Sequence, residues 1–164
     1  MKYAPGPKPL TKLSTAHSHF GPRTLSAGRL ARSAHTPAFA AMGGKVFYIG
    51  ELGKASIIKV ITNVLAFIHL YADGEALMLA KKGGIDLGLA WEVIKASSGN
   101  SFVHETEGQL ILNGSYNINF TLDLARKDLH FAHMMGREFG VPLELAGLTE
   151  QIFARARAMY GGEA

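Results

Sequence analysis

The stretch Gly50-Glu-Leu-Gly-Lys-Ala-Ser-Ile-Ile-Lys-Val-Ile-Thr-Asn63 decides how the rest of the chain is read. Just upstream, Lys45-Val-Phe-Tyr-Ile49 is β-rich and alternates loosely, which predicts one short strand. Gly50 and Gly53 break that strand, and a long apolar helix follows to about Lys82, where Gly83-Gly84 stop it. Inside the helix, Lys59 and Asn63 stand at i and i+4, one turn apart on one face. Ile57, Ile58, Val60, Ile61, Val64 and Leu65 leave them little solvated surface. A lysine so placed snorkels to a rim, is held in a cleft for chemistry, or reaches a carboxylate across a helix pair as a structural group. The residues alone leave these readings open.

Bulk properties narrow the class. At 164 residues with 48% apolar side chains, the chain is one ordinary domain with a real core, and its mean hydropathy of +0.11 argues against disorder overall. With no cysteine, a disulfide scaffold, thiol catalysis and a zinc knuckle are excluded. The sequons at Asn113 and Asn119 carry little weight, since nothing else suggests secretion. No run reads as a signal peptide or membrane span; Val60 to Leu70 comes nearest, but Lys59, Asn63, His69 and Asp73 interrupt or bound it. The expected compartment is the cytoplasm, with the mitochondrial matrix as the alternative. The net charge of +4 is unevenly spread: residues 1–44 hold six basic groups and no acid, the remainder 11 basic groups against 13 acids. The folded part therefore gives no support to nucleic-acid binding.

Residues 1–35, rich in Pro, Ser, Thr, Gly and His, read as a basic, disordered leader. Its composition suits an organelle transit peptide, but Pro5, Pro7 and Pro9 spoil the amphipathic helix that such a peptide needs, so a non-native extension is the favoured reading. Thr36 to Met42 predicts a short helix with Thr36 as N-cap and Pro37 at its first position. Beyond the long helix, the chain reads as almost all α. Asp86 caps a helix from Leu87 to Ser97 with Trp91 as its anchor, and another runs from Ser101 or Phe102 to Leu112 with Glu105 and Glu107 solvated. Tyr116 to Asn119 is irregular, Thr121 caps Leu122 to Phe139 ahead of Gly140, and Pro142 opens a last helix ending at Tyr160. Met78, Met134, Met135 and Met159 read as core filler.

Gly50-x-x-Gly53 followed by Lys59-x-x-x-Asn63 resembles the catalytic helix of the β-hydroxyacid dehydrogenases, the 3-hydroxyisobutyrate dehydrogenase family. Further landmarks fall in that family's order: Glu75-Ala76, Ser97-Ser98-Gly99-x-Ser101, and Phe120 ahead of Lys127-Asp128-Leu129. The resemblance covers roughly Ala38 to the C-terminus. Ala55 stands where the family usually has a third glycine and Thr62 where it often has a second amide. It implies an all-α domain like the C-terminal domain of 6-phosphogluconate dehydrogenase over residues 51–164, with 36–50 a helix–strand remnant of a Rossmann domain. No Gly-x-Gly-x-x-Gly follows a strand anywhere in the chain. The chain is thus expected to be a fragment, inactive by itself.

The resemblance further implies NAD or NADP as cofactor and a short β-hydroxyacid as substrate. Lys59 would be the acid–base group, Asn63 the substrate-positioning amide, and Phe120 and Lys127 the cofactor-side contacts. For Lys127 the plain alternative is a solvated residue paired with Asp123, and for Ser97-Ser98-Gly99 it is a helix stop. A tartronate semialdehyde or glyoxylate-type reductase is the alternative enzyme. An imine reductase is disfavoured, because that branch replaces the lysine. A non-catalytic helical oligomerisation module is the alternative outside enzymes. Partners are expected to be a small β-hydroxyacid and further copies of the chain, as dimer or tetramer, with no nucleic acid and no membrane. His130-x-x-His133 lacks a third ligand in register, so no metal is expected.

Overall fold

A computed structural model describes residues 24–28, 45–117 and 120–164. Two strands precede five helices: β1 Thr24–Gly28, β2 Lys45–Gly50, α1 Lys54–Lys82, α2 Leu87–Lys95, α3 Phe102–Leu112, α4 Leu122–Phe139 and α5 Glu144–Tyr160. The strands pair in parallel, Thr24 opposite Lys45 and Gly28 opposite Gly50, with a register shift after Ala27. Strand β1 lies within the stretch read as a disordered leader, so that reading fails for residues 24–28. The helix expected at Thr36 to Met42 lies outside the described residues.

Helix α1 is the axis of the fold and touches each of the other four helices. Gly53 caps its start at φ 95°, a conformation that favours glycine. By length and composition α1 could cross a membrane, which the reading of its charged interruptions had discounted. Asn63 and Asp73 are buried in it beside Val60, Ala66, Phe67 and Leu77 and bond to other helices. Helix α4 presents Ala125, Asp128, Leu129, Ala132 and Gly136 inward at helical spacing. Phe67, Ala125, Leu129 and Phe153 form the centre, with Phe67 and Phe153 rings 5.5 Å apart.

Local chemistry sets the ends. Asp86, Ser101 and Thr121 accept the N–H groups of Leu89, His104 and Leu124, as N-caps should. Thr121 is joined at the start of α4 by residues 161–164: the Ala164 and Gly162 carbonyls accept from Leu122 and Asp123 N–H. A side chain at Gly162 would collide with the Asp123 carboxylate. Helix α2 ends two residues before Ser97, because the Ser97 hydroxyl donates to the Ile94 carbonyl and accepts from Gly99 N–H. Helix α5 begins at Glu144, two residues past Pro142.

Two expectations about burial are corrected. Glu107 is buried, not solvated, because it shares the inward face of α3 with Val103, His104 and Gly108. Met78, Met134 and Met159 are exposed, so core filling is not their role here.

Candidate active site

Lys59 and Asn63 lie in the second and third turns of α1, on the side facing α4. Across that interface stands Asp128, adjacent to the fully buried Leu129 and itself 2% exposed. A carboxylate so deep must be paired or hydrogen-bonded. Lys59 Nζ forms an ion pair with Asp128 Oδ2. Asn63 Nδ2 donates to the same oxygen at 2.7 Å. The cluster is wet on one side only: the Lys59 side chain keeps 28% of its exposure while Asp128 keeps 3%. The ammonium has three donors in all. Asp128 takes one, and the partly exposed head group leaves the others to reach an incoming oxygen.

The structure therefore joins two of the four residues expected at the site. Phe120 is half-buried and packs its ring 5.5 Å from Phe67, one turn along α1 from Asn63. Lys127 is exposed, with no hydrogen bond or ion pair among the described residues. Its plain alternative, a pair with Asp123, does not form: Asp123 is taken by Arg157 of α5. That guanidinium, by hydrogen bond first and against a small burial effect, holds the Asp123 carboxyl below its ordinary range. Thr62, in place of the family's second amide, turns its hydroxyl back onto the Lys59 carbonyl at 2.9 Å. The Ser97–Gly99 turn is exposed and closes α2. His133 faces Glu150 at 3.2 Å, and no group of three possible metal ligands occurs among the described residues.

Asp128 is the site residue that the sequence reading did not assign. Its signal was present: it falls three residues after Ala125 and one before Leu129, on the buried stripe of α4, where an acid is unexpected without a partner.

A dinucleotide would need a pyrophosphate cradle. The Gly50–Gly53 turn between β2 and α1 is the one strand–turn–helix among the described residues, and some amides of the first turn of α1 bond locally. Lys54 N–H donates to the Glu51 carbonyl, and Ser56 and Ile57 N–H to that of Gly53. No Gly-x-Gly-x-x-Gly pattern follows β2, so the described residues show no pyrophosphate cradle of that kind.

Residues 53–164 match the model of a family described as NAD-binding of NADP-dependent 3-hydroxyisobutyrate dehydrogenase. The chain belongs to this family. It is 32% identical over 124 residues to 2-(hydroxymethyl)glutarate dehydrogenase of Eubacterium barkeri, covering 75% of this chain and 41% of that protein. Against L-threonate dehydrogenase of Escherichia coli K12 the identity is 34% over 129 residues, 77% of this chain and 43% of the relative. A crystal structure of 3-hydroxyisobutyrate dehydrogenase from Salmonella typhimurium superposes with a TM-score of 0.76 at 29% identity, over 84% of this chain and 49% of that one. The match bears out the expected all-α dehydrogenase domain. The chain spans about two fifths of the length of the curated relatives it matches.

Proposed function

We propose that the chain carries the acid–base half of an NAD(P)-dependent dehydrogenase acting on a short β-hydroxyacid such as 3-hydroxyisobutyrate. The carrying observation is the convergence of Lys59 and Asn63 on Asp128 at a half-open edge between α1 and α4. Bound NAD(P) would accept the hydride from the carbinol carbon. Lys59, as the neutral amine, takes the hydroxyl proton as the carbonyl forms, and as the ammonium returns it in the reverse direction. Its charge meets the oxygen on which negative charge develops. Asp128 stabilises the ammonium and fixes its place. Asn63 uses one amide hydrogen on Asp128 and retains another N–H and its carbonyl for the substrate's hydroxyl or carboxylate. Lys127 and Phe120 remain the proposed cofactor-side contacts, Lys127 because it is exposed and unpaired among the described residues.

Two clefts of about 560 and 550 Å³ lie beside α5 and around Phe120, and neither is lined by Lys59, Asn63 or Asp128. In this reading the facing wall of the site comes from a nucleotide-binding domain, which also holds the phosphates. The first cleft is mainly apolar, between Leu70 and Met78 of α1 and Ile152 and Met159 of α5. With Ile61, Leu65 and Leu79 also exposed on α1, it supports self-association into a dimer or tetramer. The proposed compartment is the cytoplasm, with no membrane or nucleic-acid partner.

The test is to join this chain to the nucleotide-binding half of a relative and compare Lys59→Met with the parent. Turnover is expected to fall about a hundredfold to ten-thousandfold with the fold intact. Near-parental turnover would overturn the assignment and leave Lys59 as a structural ion pair.

A further inference from the structure

His104 is 1% exposed, between α1, α2 and α3, and takes no part in the proposed chemistry. Its Nδ1 lies 2.6 Å from Asp73 Oδ1 of α1, and its Nε2 lies 2.9 Å from the Trp91 carbonyl of α2. Trp91 answers by donating its indole N–H to the His104 carbonyl at 2.9 Å, and the two rings stack 5.5 Å apart. A carbonyl oxygen only accepts, and so does a carboxylate. A neutral imidazole offers one N–H and one lone pair. Whichever nitrogen carried the single hydrogen, the other lone pair would face an acceptor at a site closed to bulk solvent, and a buried polar group left so is costly.

We infer that the buried Asp73–His104 pair holds a hydrogen on each imidazole nitrogen, so that the attachment of the α2–α3 hairpin to α1 is a proton-dependent clasp. The second hydrogen belongs on nitrogen, because imidazole is a stronger base than carboxylate. Imidazolium beside carboxylate is neutral as a pair, as its burial requires. The surroundings contain other charged groups. On α1, His69 lies one turn before Asp73 and is exposed. On α2, the Lys95 ammonium lies 4.8 Å from the Trp91 ring centroid. On α3, buried Glu107 follows His104 by about one turn. Gly108 lets the cluster close: a Cβ there would lie 3.1 Å from both Asp73 Oδ2 and Trp91 Nε1.

The decisive measurement is a long-range proton–nitrogen correlation spectrum of the ¹⁵N-labelled full chain at pH 7.5. Both ring nitrogens of His104 are expected to carry hydrogen; one bare nitrogen would overturn the inference.

Discussion

Helix α1 carries two buried polar contacts, and they differ in one respect that governs what each can do. Near its start, Lys59 and Asn63 grip Asp128 of α4 with one side open to water. Near its middle, Asp73 grips His104 of α3 with no opening at all. Both pairs are cation against carboxylate at close range, so type of interaction does not separate them. Exposure does. The Lys59 side chain is 28% exposed and can exchange its carboxylate for water or a substrate oxygen; His104, at 1%, has nowhere else to go. The open pair suits chemistry and the sealed pair suits architecture.

The comparison breaks most visibly in stability. Asp73→Ala is expected to destabilise the chain by about 3–5 kcal/mol, the usual cost of orphaning a buried partner. Asp128→Asn should cost less, about 1–3 kcal/mol, since Lys59 can turn to water and the amide oxygen still accepts. Urea unfolding of the two variants at pH 7 checks the ranking. If Asp128→Asn proved the more destabilising, the open pair would be a structural bolt and the proposed chemistry would lose its geometric basis.

A smaller effect sharpens the sealed side. Gly108→Ala would relieve the intrinsic cost of glycine in a helix, about 1 kcal/mol. Against that, its Cβ would press on Asp73 Oδ2 and Trp91 Nε1 at 3.1 Å, and overpacking of this kind costs about 1–3 kcal/mol. The net expectation is a destabilisation of about 1 kcal/mol, read by thermal unfolding. A stabilised Gly108→Ala would mean that the cluster has room to give, and the seal around His104 would be looser than its burial implies.

Much of the open side was legible in the sequence, and little of the sealed side. The i,i+4 spacing of Lys59 and Asn63 places both on one face of any helix, and the order of landmarks places Lys127-Asp128 on a helix downstream. Which of those two residues turns inward depends on the phase of α4, set by Ala125, Leu129 and Ala132. Adjacent residues on a helix point about a quarter-turn or more apart, so a shift of one position exchanges an exposed Lys127 for a buried Asp128. The Asp73–His104 pair gave no local signal, because its members are far apart in sequence and meet only when the α2–α3 hairpin folds back. Glu107 misled for the same reason: acids in a helix are usually solvated, and only the packing of α3 against its neighbours decides otherwise. The starts and caps of α2, α3 and α4 were read well because they depend on nearest neighbours, as Asp86, Ser101 and Thr121 show. Strand β1 was missed since its partner lies across residues 29–44, and parallel pairing leaves no hairpin signature.

A further cation–carboxylate contact, Asp123 with Arg157, lies at the exposed end of this series and should have the smallest effect. Both side chains are more than two-fifths exposed. The Arg157 hydrogen bond keeps the Asp123 carboxyl below its ordinary range in the folded chain. A carboxyl depressed by folding contributes stability that is present above its unfolded value, near pH 3.9, and lost as pH falls through the lower folded value. This contact is therefore acid-labile. Asp123→Asn should narrow the gap between stability at pH 5 and at pH 2, and leave the alkaline limb untouched. At such exposure the gain is small and screened, so about 1 M salt, where the screening length is roughly 3 Å, should erase most of the difference. Melting temperatures of parent and variant at the two salt concentrations decide it. A difference that survived high salt would show that Asp123 acts by holding α4 against α5 and residues 161–164 through its geometry, and that its charge matters little.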